Sequence, residues 1–139
     1  VSKREPARKS DLNLDNVVKI IDAMHAVVQG GTARNAWMPG ITLSGKTGTA
    51  QLASNELMKS AKLGKSYADN AWFVGFAPKD NPEIVVAVLF ENGEHGDRAA
   101  PIARDVVKSY FDKKARLELN RKSLSMQRVL PGMPGEAAP

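Results

Sequence analysis

Residues 40–47 carry the part of this sequence most suited to chemistry, because they place a lysine among glycines and hydroxyl side chains. Their order, Gly-Ile-Thr-Leu-Ser-Gly-Lys-Thr, satisfies the phosphate-loop pattern, in which backbone N–H groups cradle a nucleotide's phosphates. That pattern requires a strand before the first glycine and a helix that begins at the lysine. Residues 35–39 are instead typical of a loop, and Gly48 disfavours a helix start. Nucleotide binding is therefore an alternative that the conformation at Lys46 would decide.

The elements that must position this stretch are predicted to be a helix, three strands and a second helix. Asn13 is suited to cap a helix that runs to about Gln29. Strands are predicted at 41–52, 71–77 and 83–91, and the second helix at about 99–114. The short turn at 78–82 predicts that the second and third strands form an antiparallel hairpin. The sequence thus predicts an α+β fold, a mainly antiparallel sheet with amphipathic helices packed on it.

Several finer expectations follow from the apolar patterns. The first helix carries an apolar stripe of Val17, Ile20, Ile21, Met24, Val27 and Val28. The second carries a face of Ile102, Val106 and Tyr110, flanked by Ala103, Val107 and Phe111. The third strand is apolar on both sides, which predicts a position in the middle of a covered sheet. Trp72, Phe73 and Phe76 are expected to pack in the core and the cleft wall.

The remaining segments are predicted to be less ordered. Residues 1–12 are polar and irregular, and residues 115–139 form a basic, Pro- and Gly-containing tail predicted to be disordered, with weak helical character over 115–130. Residues 53–70 form a long polar connection with three lysines, Lys59, Lys62 and Lys65. Connections of this length in a compact domain are often functional.

Composition removes several classes of function. The net charge is +5, but the basic clusters near both ends contain no interleaved aromatic residues, so no nucleic-acid partner is predicted. The absence of cysteine excludes thiolate chemistry, and neither a cofactor nor a metal is expected. His25 is assigned to packing. His95 is assigned to a solvated loop, with a metal site beside Glu91, Glu94 and Asp97 as the alternative.

If residues 41–52 form a strand, Lys46 belongs to a different motif. The string at 44–51, Ser-Gly-Lys-Thr-Gly-Thr-Ala-Gln, resembles the Lys-Thr-Gly motif of the penicillin-binding proteins across its whole length. Residues 31–33, 69–78, 84–93 and 99–110 resemble the neighbouring segments of that family. The resemblance spans roughly 13–112 and is closest to class B, elongation-type D,D-transpeptidases similar to penicillin-binding protein 2. It implies the C-terminal part of a β-lactamase-like transpeptidase fold over residues 13–114.

The resemblance implies a role for each residue of the motif. Lys46 is the expected catalytic residue, a positive charge that favours the substrate carboxylate and assists proton transfer. Thr47, Gly48 and Thr49 are the expected substrate-binding residues, through two hydroxyls, a close backbone approach and the Thr49 N–H as an oxyanion donor. Side chains alternate along a strand, so Lys46 and Thr47 serve one site only where the strand lies at a sheet edge. We therefore predict that strand 41–52 is an edge strand.

The resemblance also implies partners and a location. The expected ligands are a peptidoglycan stem peptide ending in D-Ala-D-Ala and β-lactam antibiotics. The expected protein partners are the missing N-terminal part of the same domain and membrane proteins of the cell-elongation machinery. The expected location is the periplasmic side of the cytoplasmic membrane. Because the partner of the third strand is expected in the missing part, the chain alone is predicted to dimerise or swap.

Two further motifs of the family are not found in this sequence. The nucleophile, a serine followed three residues later by lysine, is matched by none of the serines: Ser2, Ser44, Ser54 and Ser60, for example, are followed at that offset by Glu5, Thr47, Leu57 and Leu63. The Ser-x-Asn motif is absent as well. The alternative to an enzyme segment is therefore a non-catalytic penicillin-binding-like module that keeps the strand.

The isolated 139-residue chain is predicted to form no acyl-enzyme, because it lacks the nucleophile motif. Incubation with a fluorescent penicillin, followed by denaturing electrophoresis and mass spectrometry, should show no covalent adduct. A stoichiometric adduct would contradict this prediction.

Overall fold

The computed structural model describes residues 11–52 and 68–129 of the chain. The helices are α1 (Leu14–Gln29) and α2 (Ala100–Val129), and the strands are β1 (Ser44–Ala50), β2 (Asn70–Ala77) and β3 (Ile84–Phe90). Single 3-10 turns lie at Arg34–Ala36 and Gly96–Arg98. The predicted α+β class and the order of its elements are confirmed.

The three strands form one antiparallel sheet in the order β1-β2-β3. The predicted hairpin of β2 and β3 is confirmed, and β1 lies at an outer edge of the strands that the structure describes. β1 begins at Ser44 rather than at residue 41. Gly40 has φ +78°, and the Leu43 N–H donates to the Ile41 carbonyl at 3.2 Å, so the chain turns before it extends.

α1 begins and ends as its sequence predicts. The Asn13 side chain accepts the Asn16 N–H at 3.2 Å, and Gly30 follows the last turn. Most of the predicted stripe is at least half-buried, and Val28 is fully enclosed, whereas Ile20 is 59% exposed. Asp22 accepts a hydrogen bond from Lys79, beyond β2, at 2.6 Å. This hydrogen bond raises the pKa of Lys79 above 10.5. The bond therefore contributes to the stability of the fold at neutral pH, and this contribution is lost as the pH rises past the raised pKa.

α2 contacts the sheet through residues that were predicted only to flank its apolar face. Ala99, Ala103 and Val107 are completely buried, and Phe111 is partly buried. Ile102, Val106 and Tyr110 remain exposed, so the predicted centre of this face is wrong. Small alanines four residues apart let the helix axis approach the sheet closely, which a row of larger side chains would prevent.

α2 also continues to Val129, through residues that the sequence analysis placed in the tail. Residues 113–126 are rich in Lys, Arg, Leu, Glu and Ala, which have high helix propensity. At the point where the helix leaves the sheet, Lys114 pairs with Glu83 at 2.6 Å. No helix within 11–52 and 68–129 combines the length and apolar character needed to cross a bilayer. The three lysines of the long connection and the tail beyond residue 129 lie outside the described residues.

β3 pairs with β2 alone among the described strands, as expected for a strand whose second partner is predicted to lie outside these residues. Within the described part of the chain it forms the edge opposite β1. Val86 is buried under α2, but Val85 is 71% exposed and Leu89 is 45% exposed on the other face. That face also carries Trp72 and Val74, so it is a broad apolar surface.

Phe73 is the central side chain of the core between the sheet and α2. It is fully buried, and its ring lies over Gly45 of β1 and Gly75 of its own strand. A Cβ added at Gly45 would lie 2.2 Å from the tip of this ring. The ring thus occupies the space that is open because Gly45 and Gly75 have no side chains.

Gly45→Ala is expected to lower the free energy of unfolding by about 1–3 kcal/mol, because it overfills a packed core. Urea denaturation should show the loss. The double variant Gly45→Ala/Phe73→Leu, in which a smaller side chain makes room, should be more stable than the sum of the single effects predicts. Additive effects of the two substitutions would contradict the proposed contact.

Candidate active site

Lys46 lies on the exposed face of the sheet, in the middle of β1. Its cross-strand neighbour is Val74, and its Nζ donates to the Thr47 carbonyl oxygen at 2.7 Å. Because Lys46 is part of a strand, no helix begins there, and the phosphate-loop alternative is wrong. The ammonium group is free to move to a stronger acceptor, because its present bond is local and exposed to solvent.

Thr47 and Thr49 extend to the opposite face of β1, where they line an open cleft of about 340 Å³. The other walls are Thr32, which follows α1, and residues 95–97 between β3 and α2. The Thr47 and Thr32 hydroxyl oxygens are 2.7 Å apart. The Thr49 hydroxyl accepts the backbone N–H of Gly96 at 3.3 Å. The cleft therefore presents three threonine hydroxyls from two segments of the chain, beside a third wall formed by residues 95–97.

Gly96 brings the connection between β3 and α2 into direct contact with β1. A Cβ at this position would lie 2.5 Å from the Gly48 carbonyl oxygen and 3.0 Å from the Thr47 Cβ. The first obstacle is backbone, which cannot move aside as a flexible side chain could. Only glycine allows this segment, the 92–98 loop, to border the cleft at its present distance.

Hydrogen bonds hold the 92–98 loop against its neighbours. Asn35 donates to the Asp97 carbonyl at 2.8 Å, and its own carbonyl accepts from Arg104 of α2 at 3.0 Å. Glu94 has φ +65°, an unfavourable value for a residue with a Cβ, and its N–H donates to the Asp69 carbonyl at 2.8 Å. Backbone strain of this kind persists where the surroundings enforce it, as they often do at functional sites.

The predicted site residues thus fall into two groups. Thr47 and Thr49 share the cleft, whereas Lys46 lies on the other face, as the alternation of side chains predicts. Gly48 lies between them, opposite Trp72. The structure brings the two faces together only at the exposed edge of β1.

Sequence reasoning missed Thr32, Gly96 and Asp97 as parts of the cleft. Their contacts with β1 depend on the chain's path between elements, and only the glycine at 96 offered a signal. His95 also lines the cleft. His25 instead donates its Nδ1–H to the Leu43 carbonyl at 3.0 Å, a contact that supports the entry to β1. Within the part of the chain that the structure describes, no three His, Asp or Glu side chains are placed to hold a metal.

Comparison with known families gives a match over most of the chain. Residues 2–108 match the penicillin-binding protein transpeptidase domain. The peptidoglycan D,D-transpeptidase MrdA of Acinetobacter baumannii is 46% identical over 92 residues. This alignment covers 64% of the present chain and 14% of MrdA, so the chain corresponds to about a seventh of that relative's length.

Two solved structures show the same arrangement of elements. The crystal structure of Pseudomonas aeruginosa PBP2 in complex with WCK 5153 superposes with a TM-score of 0.59 and 34% identity, over 79% of this chain and 23% of that one. The imipenem acyl-enzyme complex of Mycobacterium tuberculosis penicillin-binding protein A gives a TM-score of 0.57 and 28% identity, over 75% and 21% of the chains.

The matched residues include β1, all of the cleft and the start of α2. The chain therefore belongs to the penicillin-binding protein transpeptidase family and is similar to its PBP2-type members.

Proposed function

We propose that this chain supplies the Lys-Thr-Gly strand of a peptidoglycan D,D-transpeptidase that crosslinks stem peptides by serine acyl transfer. The observation that carries the proposal is the edge position of β1, with Lys46 on one face and the hydroxyls of Thr47 and Thr49 on the other. An extended peptide ending in D-Ala-D-Ala would lie along this edge. The serine nucleophile would come from a part of the domain outside these residues.

The threonines would hold the terminal carboxylate of the donor peptide. A carboxylate only accepts hydrogen bonds. A hydrogen bond from a hydroxyl to a charged acceptor is stronger than one to a neutral acceptor. Fixing the carboxylate at Thr47 and Thr49 would set the preceding peptide carbonyl beside the N–H of Thr49. That N–H would stabilise the oxyanion that forms during attack.

The reaction would proceed in two balanced steps. The serine oxygen attacks the carbonyl of the penultimate D-alanine, the C–N bond breaks, and the terminal D-alanine leaves as an amine with an added proton. The amine of a second stem peptide then attacks the ester, forms the crosslink and returns the proton to serine. Lys46 would favour the anionic groups in both steps and keep a proton available near the serine.

Further features of the proposal concern binding partners and location. β-Lactams would react with the same serine, and the M. tuberculosis neighbour is itself an acyl-enzyme complex with imipenem. A complex of PBP2 with MreC from Helicobacter pylori is also a structural neighbour, with a TM-score of 0.52 and 27% identity over 64% of this chain. We therefore propose that the protein works with membrane proteins of cell elongation, on the outer side of the cytoplasmic membrane.

The apolar face of the sheet supports an assembly of this kind. Trp72, Val74 and Leu89 lie side by side on it and are each about two-fifths exposed. Contiguous exposed apolar surface on a soluble protein commonly marks an interaction surface. In the proposed enzyme, the remainder of the transpeptidase domain would cover this face and pair with the free edge of β3.

A chimera tests the function directly. Residues 13–112 of this chain would replace the corresponding segment of A. baumannii MrdA, and the rest of MrdA would be retained. The chimera is expected to react with fluorescent penicillin. Lys46→Ala should lower the second-order acylation rate constant at least a hundredfold, the typical cost of removing a group that stabilises developing charge.

Lys19→Ala is the matched control, because Lys19 is an exposed lysine on α1 that does not line the cleft. It should leave the acylation rate within twofold of the parent chimera. Equal rates for Lys46→Ala and Lys19→Ala would refute the catalytic role of Lys46. A well-folded parent chimera that forms no adduct would favour the non-catalytic module instead.

Gly96→Ala tests the contribution of the 92–98 loop in the same chimera. The added methyl group collides with the Gly48 backbone, so the loop must shift and β1 loses its neighbour at the cleft. Acylation is expected to slow by about tenfold or more, because small displacements of positioned groups carry large rate penalties. Stopped-flow acylation measures the rate, and thermal unfolding verifies that the variant is folded. An unchanged rate would show that the loop plays no part in the reaction.

A further inference from the structure

The hydroxyls of Thr47 and Thr49, the two that β1 contributes to the cleft, differ in their hydrogen bonds. Thr49 accepts the Gly96 N–H, so its lone pair is used and its own proton is free to point into the cleft. Among the described residues, the Thr47 hydroxyl has one hydrogen-bond partner, the Thr32 hydroxyl at 2.7 Å, and either oxygen of this pair could be the donor. The direction of that one bond decides whether Thr47 has a proton left for a ligand.

A hydroxyl has one proton and two lone pairs, whereas a carboxylate has lone pairs only. If Thr47 donates to Thr32, it turns a lone pair toward the carboxylate, and the two repel each other. If Thr32 donates to Thr47, the Thr47 proton is available for the carboxylate. A donor chain of this kind strengthens each of its bonds, because every hydroxyl polarises the next.

The surroundings of Thr32 allow it to be the donor. Within the described residues, its hydroxyl makes one hydrogen bond, the one to Thr47, so no other acceptor of those residues competes for its proton. Thr32 lies just beyond the glycine pair that ends α1, and Gly31 packs against the Val27 backbone. The Ala33 N–H donates to the Val27 carbonyl at 3.1 Å, which holds residue 32 at the cleft.

We propose that Thr32 is a positioning residue that donates its hydroxyl proton to Thr47 and thereby directs the Thr47 proton to a carboxylate ligand. The inference rests on the proposed function of the same cleft and adds a third threonine to it. Thr32 acts through Thr47 and touches no ligand itself. The role belongs to the hydroxyl, so serine can replace threonine at position 32 and valine cannot.

The test uses the MrdA chimera and two matched probes, a penicillin with a free carboxylate and its methyl ester. Thr32→Val keeps the shape of the side chain and removes its hydroxyl. It should lower the second-order acylation rate constant for the acid by about tenfold and that for the ester by less than twofold. Thr32→Ser should restore the rate for the acid to within twofold of the parent.

Two controls separate positioning from a general structural effect. Thr42→Val removes a hydroxyl that accepts the Lys79 N–H away from the cleft, and it should leave the acid-to-ester ratio unchanged. In a Thr47→Val background, Thr32→Val should add less than a twofold further loss, because Thr32 acts only through Thr47.

Three results would overturn the inference while leaving the proposed function intact. They are an unchanged rate for the acid in Thr32→Val, equal losses for acid and ester, and additive losses in the double variant. A parent chimera that reacts with neither penicillin would overturn the proposed function itself, and the inference with it.

Discussion

Phe73 fills the space that Gly45 and Gly75 leave open on the face of the sheet beneath α2. This contact is compatible with only one register of β1 against β2, because a shift of one residue would place Lys46 at the position of Gly45. The ammonium group would then enter a closed core without a partner, at a cost of several kcal/mol. The packing of one aromatic ring thereby determines which face of the strand each motif residue occupies.

The cleft depends on that register and on two connections that approach β1 from either side. The segment after α1 brings Thr32, and the 92–98 loop brings Gly96. Asn35 joins the two connections, since its side chain reaches Asp97 and its carbonyl binds Arg104 of α2. Loops form the other walls of the cleft, while the strand supplies rigid positions for the groups that are proposed to contact the ligand. A shift in either loop would therefore change the cleft without disturbing the sheet.

Local patterns in the sequence were sufficient for the elements and for the central motif. The Asn13 cap, the hairpin and the edge position of β1 follow from capping chemistry, turn composition and side-chain alternation. The buried side of α2 could not be predicted in the same way. Hydrophobicity favoured Ile102 and Val106, but the distance of the helix from the sheet is set by Ala99 and Ala103. Periodicity shows how apolar residues are spaced along a helix, but it carries no information about how closely that helix packs against a sheet.

The residues of the cleft walls could not be predicted from the sequence, for a related reason. Thr32 and Thr47 are fifteen residues apart, and Gly96 contacts β1 across 47 or more positions of the chain. Such contacts are properties of the tertiary path, and no local spacing encodes them. Residues 115–129 continue the helix because the helix propensity of their Leu, Lys, Arg and Glu residues outweighs the repulsion between their basic side chains.

Lys46 shares its face of the sheet with Trp72 and Val74, which gives the proposed function a physical condition. In the present surroundings its ammonium group is solvated, and water weakens its interaction with any anion. A partner that covers the apolar face would exclude water from Lys46 and from the apolar side chains at once. Burial of the apolar surface would provide the free energy for docking, and the same docking would strengthen the field of the ammonium group at the edge of β1. Assembly of the complete domain and activation of its lysine would then be one event, since a single surface serves both.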